Sequence, residues 1–204
     1  MSDFLFVLDM IGIIAFAASG ALVAGRKDMD LLGGLVLAFV TGIGGGTVRD
    51  IILDTPVFWL TQPSYLMACL GGFLLVYITQ TRFKATPKAT INFWDAVGLG
   101  VFTIMGANKA LFLGHSNSVA LIMGLMTGVG GGIIRDMLAN EIPLVLSRKR
   151  LYATASIAGA IVFLIVFPHV HDATAVTIGV CTVLFIRLGA LLFDWRLPHF
   201  PLHR

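Results

Sequence analysis

The segment TGIGGGTVRD at residues 41–50 has a near copy, TGVGGGIIRD, at residues 127–136. In both copies three consecutive glycines precede an Arg-Asp pair, and the copies lie 86 residues apart. Glycine inside a helix costs about 1 kcal/mol relative to alanine, so three in a row are unfavourable in an ordinary helix. A costly pattern that occurs twice indicates a duplicated unit.

The composition is that of a membrane protein. Of the 204 residues, 57% are hydrophobic and only 12% are charged, whereas soluble domains have about 25% charged residues. Runs long enough to cross a hydrocarbon core of about 30 Å occur at 4–24, 31–53, 64–80, 91–113, 117–139, 150–167 and 173–193. We therefore predict an all-α membrane protein with seven transmembrane helices in a single domain, residues 1–204.

The basic residues lie in alternate connections between these spans. The loops at 25–30, 81–90 and 147–150 and the C-terminal tail carry ten of them: Arg26, Lys27, Arg82, Lys84, Lys88, Arg148, Lys149, Arg150, Arg196 and Arg204. The other connections and the N-terminal residues carry none. By the positive-inside rule the N terminus is outside and the C terminus is cytoplasmic. The scattered charges lack an aromatic platform, which argues against nucleic-acid binding.

The offset of 86 residues extends beyond the glycines and defines an internal repeat. It aligns Asp9 with Asp95, Gly12 with Gly98, Phe16 with Phe102, Gly20 with Gly106 and Ala21 with Ala107. Repeat one is predicted at 4–80, repeat two at 91–167, and the span at 173–193 is an extra helix. Because each unit has three spans, an odd number, the second unit enters the membrane from the opposite face as an inverted repeat.

The triple glycines are interpreted as breaks in helices two and five that line a polar cavity, where freed backbone groups can be satisfied. Close packing through small residues is the alternative. A break would expose the carbonyl groups of Val40, Thr41, Met126 and Thr127 to a monovalent cation, and N–H groups near Thr47 and Ile133 to an anion. The predicted pore and kink residues are Thr41, Gly42, Gly44, Gly45, Gly46, Thr127, Gly128, Gly130, Gly131 and Gly132.

Charged residues at membrane depth usually face a bundle interior or an aqueous path. Adjacent residues project about 100° apart on a helix, so Arg49 and Asp50 are expected not to pair well with each other. Predicted depth instead suggests two charge clusters, Asp9 with Arg49 and Asp95 with Arg135, while Asp50 and Asp136 could join either arginine. The alternative is that these pairs only neutralise one another and hold helices together.

Two further basic residues lie near helix ends. Lys109 and Arg187 are expected to extend to the membrane interface, with their aliphatic stems along the helix. Lys109 aligns with Val23 and so breaks the repeat symmetry, which makes it a candidate for gating.

An enzymatic function is not expected. The segment GGGTVRD resembles the Gly-Gly-x-x-Arg-Asp stretch of tRNA nucleotidyltransferases, but no Asp-x-Asp pair follows in IILDTPVFWL. Neither a dinucleotide fingerprint nor a P-loop is present, and no nucleophile–base grouping converges. Cys69 and Cys181 have no metal-ligand spacing around them. No cofactor is expected beyond a permeant ion.

The doubled glycine motif in a three-plus-three-plus-one helix plan resembles the prokaryotic branch of the trimeric intracellular cation channels, also described as glycine-transporter-domain proteins. The resemblance covers residues 5–195 and implies a homotrimer in a bacterial inner membrane. Each protomer would have a hydrophilic pore for potassium or sodium ions, bounded by glycine-kinked helices two and five, with Arg49, Asp50, Arg135 and Asp136 beside it. Animal members have a Lys-Glu-Val sequence in the fourth helix, which ANKALF around Lys109 lacks.

Two functions remain open on the sequence. The first is a passive cation channel, which the resemblance favours. The second is a carrier for a small zwitterion such as glycine, because paired Arg and Asp side chains would suit its carboxylate and ammonium groups.

Overall fold

The computed structural model describes residues 3–82, 88–146 and 151–195, and of Thr81 and Arg82 only the backbone. The regular secondary structure in these ranges is helical, with short turns and loops between the helices. The α-helices are α1 (Asp3–Arg26), α2 (Leu31–Ile52), α3 (Phe58–Thr61), α4 (Ser64–Arg82), α5 (Lys88–Phe112), α6 (Asn117–Leu138), α7 (Ala153–Val166) and α8 (Asp172–Leu192). Short 3-10 turns occur at Leu144–Leu146 and Phe167–His169.

The described ranges contain eight α-helices where seven were predicted. The additional one, α3, forms after Pro56, where the Asp50 carboxylate accepts its first N–H group, that of Phe58. Within the part of the chain that the structure describes, α1, α2, α5, α6 and α8 are long and apolar enough to cross a membrane, and α4 and α7 are shorter apolar helices. Several of the loop charges used for the topology lie outside the described residues: Lys84, Arg148, Lys149, Arg150, Arg196 and Arg204.

The predicted breaks at the triple glycines are wrong, because α2 and α6 each continue as one helix through them. A Cβ atom on Gly45 would collide with the Thr127 carbonyl oxygen, and one on Gly131 would collide with the Thr41 carbonyl oxygen. The glycines therefore allow two helix backbones to touch, as small residues do in membrane proteins.

The predicted cation site at backbone carbonyls fails for the same reason. In a continuous α-helix each carbonyl group accepts the N–H group four residues on. The carbonyl groups at residues 40, 41, 126 and 127 lie inside α2 and α6, several residues before either helix ends. They are engaged in the helices' own hydrogen bonds, as are the N–H groups of Thr47 and Ile133.

Reciprocal contacts relate the two halves of the chain by a two-fold. The rings of Phe16 and Phe102 stack on one another with their centroids 5.3 Å apart. A Cβ atom on Gly12 would meet Phe102, and one on Gly98 would meet Phe16. Because positions rise along α1 as they fall along α5, these two helices run antiparallel, and the contacts of Gly45 and Gly131 give the same result for α2 and α6.

The ends of α2 and α6 repeat the same local chemistry. Asp30 accepts a hydrogen bond from the Gly33 N–H group at the start of α2, and Ser116 caps α6 in the same way. Just beyond the other ends, Asp54 and Asn140 adopt positive φ angles of 51° and 54°. Asp and Asn tolerate this left-handed conformation better than most residues. The chain therefore turns alike after each Arg-Asp pair.

The core has two hydrophobic parts, and the central helices α1 and α5 pack against each other between them. One part is formed mainly by α1, α2 and α4. The other includes α5, α6 and α7, together with α8. Because α8 packs on α5 and α7, it covers the second half of the molecule and has no counterpart on the first.

Candidate functional site

Two groups of buried polar residues lie near the C-terminal ends of α2 and α6, on either side of the glycine contact. The Arg49 cluster consists of Arg49, Asp50, Lys109, Asp9 and Tyr65. The Arg135 cluster consists of Arg135, Asp136, Asp95, Ser19 and Tyr152. All four aspartates and both arginines in these clusters are at most 5% exposed. Burying so many charges is costly unless they are paired, so the pairing within each cluster decides what it can do.

In the Arg49 cluster the Asp50 carboxylate is the centre. Arg49 Nε lies 2.6 Å and Lys109 Nζ lies 2.7 Å from Asp50 Oδ1. The second oxygen, Oδ2, accepts the N–H group of Phe58 at 2.9 Å. The Arg49 guanidinium carbon also lies 5.6 Å from the centre of the Phe58 ring. Asp50 thus joins α2, α3 and α5.

Asp9, predicted to pair with Arg49, is placed beside this network rather than in it. The ion pair of Arg49 is with Asp50. Asp9 is 5% exposed, and its Oδ1 atom has no hydrogen-bond partner within the described residues. Its hydrogen-bonding neighbour is Tyr65.

In the Arg135 cluster one guanidinium joins two carboxylates. Arg135 Nη1 lies 2.8 Å from Asp95 Oδ1, and Nη2 lies 2.8 Å from Asp136 Oδ1. Nη1 also donates to the Ser19 hydroxyl on α1 at 2.9 Å. The structure therefore brings Asp95 and Arg135 together as predicted, and it adds Asp136 to the pair.

The other hydrogen bonds of Asp95 and Asp136 differ. Asp95 Oδ1 also accepts the Tyr152 hydroxyl group at 3.3 Å, whereas Oδ2 has no partner among the described residues. Asp136 Oδ2 accepts the N–H group of Leu144 at 2.9 Å, at the start of the 3-10 turn. Leu144 corresponds to Phe58 at the repeat offset, so both motif aspartates hold the next short turn in place.

The expectation that adjacent Arg and Asp side chains do not pair is wrong in both copies. Arg49 Nε and Arg135 Nε donate to the carboxylate of the next residue at 2.6 and 2.8 Å. The Arg side chain is long enough to curl back toward its neighbour. Each carboxylate is also fixed by the N–H group that it accepts, which holds it on that side of the helix.

Lys109 and Arg187 do not extend to the interface as expected. Lys109 points to Asp50 instead. Arg187 is 2% exposed, with its guanidinium carbon 4.7 Å from the centre of the Tyr152 ring and Nη1 3.0 Å from the Leu151 carbonyl oxygen. A cation over an aromatic face is stabilised by the ring quadrupole, which accounts for this buried placement.

The predicted glycines face neighbouring backbone and rings. Gly42 lies against Cys69 and Ile13, and Gly128 lies against Thr103 and Leu99. The remaining contacts are Gly44 with Ile134, Gly46 with the Phe58 ring, Gly130 with Gly45, and Gly132 with the Tyr152 hydroxyl group. Thr41 and Thr127 are fully buried and donate their hydroxyls to the Leu37 and Met123 carbonyl groups.

A surface ion pair connects the end of α1 with the loop after α6. Glu141 Oε1 lies 2.6 Å from Arg26 Nη2 and 3.0 Å from Lys27 Nζ. Partial burial alone would raise the pKa of Glu141, but the hydrogen bond from Lys27 and the charge of Arg26 outweigh it and lower the pKa below its usual value. This contact lies on the side that the charge distribution predicts to be cytoplasmic.

A cavity of about 590 Å³ opens beside this ion pair and reaches the Arg135 cluster. Its lining residues are Val23, Arg26, Lys88, Ile91, Asn92, Arg135, Asp136, Glu141, Ile142, Leu144 and Leu146. Asp136, which is 3% exposed, forms part of its wall.

Sequence reasoning missed several members of the two clusters. Tyr65 and Tyr152 align in the repeat once one inserted residue is allowed, but that alignment does not indicate their hydrogen bonds to the aspartates. The prolines Pro56 and Pro143 could have indicated the short turns whose N–H groups bind the motif aspartates, because Pro tends to follow a helix end. Ser19 and Glu141 had no signal in a single sequence.

Comparisons with known proteins agree with this fold. The sequence model of the family described as "Glycine transporter" matches residues 6–81 and 92–168. A UPF0126 membrane protein of Vibrio cholerae is 45% identical over 203 residues, covering 98% of this chain and 84% of that protein. An inner membrane protein of Escherichia coli, YadS, is 44% identical over 198 residues, covering 96% and 95%.

The solved structures that resemble this one are ion channels. The trimeric intracellular cation channel orthologue from Rhodobacter sphaeroides superposes with a TM-score of 0.86 at 37% identity. That comparison covers 95% of this chain and all of the other chain, 100%. The chain therefore belongs to the glycine-transporter family of membrane proteins, and it has the fold of the prokaryotic trimeric intracellular cation channels.

Proposed function

We propose that the protein is a cation channel of the bacterial inner membrane, a homotrimer in which each protomer conducts potassium ions. The observation that carries this proposal is the pair of buried Arg-Asp clusters related by a two-fold, one beyond each end of the α2–α6 glycine contact. The fold shared with channels named for cation conduction supports it. The inner-membrane relative supports the location.

Charged side chains have a high energetic cost inside a membrane. Arginine, lysine and aspartate within membrane-spanning segments are expensive and usually line an aqueous path. Here buried residues of these types occur on all five apolar helices that could cross a membrane, α1, α2, α5, α6 and α8. A requirement for helix packing alone could be met by apolar side chains at lower cost. The contact between α2 and α6 at Gly45 and Gly131 is here called the seam. Buried charged side chains at both of its ends fit a path for ions.

We infer that the path follows the seam between α2 and α6 and is bounded by α1 and α5. In the present conformation the seam is closed at Gly45 and Gly131, where a Cβ atom would collide with backbone. Ion passage requires the two helices to separate there. Because no side chain joins them at this contact, a small separation of α2 and α6 opens it.

The topology that accompanies this proposal places the N terminus outside and the C terminus in the cytoplasm. The two-fold then lies in the plane of the membrane, the Arg49 cluster faces outward and the Arg135 cluster faces the cytoplasm. The cavity at Arg135 becomes the cytoplasmic entrance.

A second candidate function is a carrier for glycine or a similar small amino acid. The description of the family favours it. Each cluster also offers an arginine for a carboxylate and an aspartate for an ammonium group. A carrier would expose one cluster at a time and would not pass a continuous current.

Reconstitution into liposomes separates the two candidates. We expect an outward potassium gradient to drive uptake of labelled rubidium when no glycine is present. Added glycine should not change the rate of this uptake. Gly45→Ala should raise this uptake because its Cβ atom forces α2 and α6 apart at their contact, whereas Gly71→Ala, with nothing within 4 Å of the new atom, should leave it unchanged. Saturable glycine exchange in vesicles that show no rubidium uptake would contradict the channel.

A further inference from the structure

The last helix, α8, contributes a buried charge to the second half of the molecule. Three arginines are buried among the described residues: Arg49, Arg135 and Arg187. The first two belong to the repeated motif, but Arg187 lies on α8, outside the two repeats. Burying an arginine is costly unless neighbouring groups compensate its charge. The surroundings of Arg187 therefore indicate what it does.

The Tyr152 ring connects Arg187 to the Asp95 carboxylate. The guanidinium carbon of Arg187 lies 4.7 Å from the ring centre, and the Tyr152 hydroxyl group donates to Asp95 Oδ1 at 3.3 Å. A Cβ atom added to Gly132 would lie 2.8 Å from the hydroxyl oxygen, so this glycine makes room for it. Arg187 Nη1 also donates to the Leu151 carbonyl oxygen at 3.0 Å. The ring is thus held between a cation on α8 and a carboxylate on α5.

The two clusters differ in how their charges balance. In the Arg49 cluster two cations, Arg49 and Lys109, accompany two aspartates. In the Arg135 cluster one arginine binds two aspartates. The repeat offset gives Val23 in place of Lys109 there. Within its own residues the Arg135 cluster therefore has one negative charge in excess.

Other basic residues near the Arg135 cluster are more exposed than Arg187. Arg26 and Lys27 share Glu141, and their side chains are 29% and 33% exposed. Lys88, on the wall of the cavity, is exposed. Solvent and salt screen charges at the surface, whereas Arg187 is 2% exposed and is screened much less. Arg187 is therefore the cation best placed to offset the excess negative charge.

We propose that Arg187 is the second cation of the Arg135 cluster and acts through Tyr152. It holds the ring so that the hydroxyl group orients Asp95, and its charge offsets the excess carboxylate. The helix outside the repeats thus supplies to the second half what Lys109 supplies to the first. Arg187 is a positioning residue, because it acts on the carboxylate through another side chain. Its effect on ion passage rests on the proposed channel function, whereas its effect on the fold does not.

Removing the carboxylate that Arg187 compensates tests this role. Arg187→Met should lower the unfolding temperature of purified protein at neutral pH, because it leaves the excess negative charge buried. Adding Asp95→Asn should restore at least half of that loss, since the excess charge is then gone. Asp50→Asn in the other cluster is the matched control, and adding it to Arg187→Met should restore none of the loss.

The outcomes separate compensation of charge from packing. Arg187→Lys, which keeps the charge, should lose less than half as much as Arg187→Met. If Arg187→Met does not fold by itself, recovery of folded protein on adding Asp95→Asn supports the proposal. A double variant with Asp95→Asn that is no more stable than Arg187→Met would overturn it, and so would equal losses in the lysine and methionine variants.

Single-channel current at two salt concentrations tests the effect of Arg187 on ions. The Debye length is about 30 Å at 0.01 M and about 3 Å at 1 M. Arg187→Met should therefore raise the potassium conductance about twofold in 0.01 M potassium chloride and leave it unchanged in 1 M. Arg187→Lys should show less than half of that rise. An equal change at both concentrations would contradict an electrostatic role. If Asp95→Asn restores stability but wild type passes no current, the role of Arg187 stands and the channel is refuted.

Discussion

The Arg49 and Arg135 clusters begin from the same ten-residue motif and differ in how their charges are held. Arg135 binds two carboxylates and a serine hydroxyl, and Arg135 and Asp136 form part of the wall of a cavity. Arg49 binds one carboxylate, which a lysine from α5 also reaches. The first half therefore has a second cation on a side chain, Lys109, whereas the second half has Val23 at the corresponding position.

This difference shows how a duplicated unit becomes directional. The shared features, which are the glycine contact, the Arg-Asp bond and the aspartate that holds the next turn, set the common framework. The unshared residues Ser19, Lys109, Glu141 and Arg187 make the contacts at the two ends different. Each of them can be changed without altering the motif.

The largest expected effect is on the better-connected arginine. Arg135→Met leaves two buried carboxylates without their cation and should cost about 3–5 kcal/mol of unfolding free energy, the range for breaking a buried ion pair. Arg49→Met should cost about 1–3 kcal/mol, because Lys109 still covers Asp50. Denaturant titration of both variants in detergent measures the difference, and equal costs would break the comparison.

Next come the glycines, where the two halves should behave alike. Gly45→Ala and Gly131→Ala each place a Cβ atom against a backbone carbonyl oxygen, and overpacking of this kind costs about 1–3 kcal/mol. Gly71→Ala on α4, which meets nothing, is the matched control. If only one of the two seam variants lost stability in thermal unfolding, the reciprocal contact would be incorrect.

Lys109→Met should have a smaller effect of about 1 kcal/mol, because the lysine is partly exposed and its pair with Asp50 is screened. This variant also tests whether Lys109 and Arg49 are energetically coupled through Asp50. With Lys109 absent, Arg49→Met should become costlier than in wild type, since Asp50 would then have neither cation. A double-mutant cycle gives this interaction energy, and strict additivity would mean that the two cations do not share Asp50.

The smallest effect concerns pH. The lowered pKa of Glu141 means that its ion pairs stabilise the fold at neutral pH. This stabilisation is lost as the pH falls below the ordinary value of 4.5 and through the lowered pKa. At pH 7 the unfolding free energy of the wild type should exceed that of Glu141→Gln by about 0.2–1 kcal/mol. The gap should close as the pH falls through the lowered pKa, and a gap that persists after the carboxylate is protonated would exclude it as the source.

Much of the framework could be predicted from the sequence, because it follows from long-range regularities in the chain. Apolar runs located the seven longer helices to within three residues at each end. The predicted depths of the charged residues along these runs also indicated that Asp95 and Arg135 meet. The predicted role of Gly45 and Gly131 was wrong. The sequence does not distinguish a glycine that breaks a helix from one that allows close contact with the backbone of a neighbouring helix.

The partners of Asp50 were also beyond the sequence. Its bond to Arg49 depends on how a flexible side chain curls, and its bond to Lys109 depends on how α5 is rotated against α2. Both are consequences of packing between helices that are distant in the chain. Likewise the placement of Arg187 depends on the Tyr152 ring, which only the folded arrangement brings beneath it.

Current through single molecules in a planar bilayer tests the central claim most directly. Purified protein is studied in a tenfold gradient of potassium chloride. We expect discrete openings whose reversal potential has the sign for cation selectivity and a size near the limit for a monovalent ion, about 59 mV for a tenfold gradient. Arg49→Gln, which stays folded on this account, should change the size of those openings. A silent bilayer from protein that exchanges glycine in vesicles would contradict it.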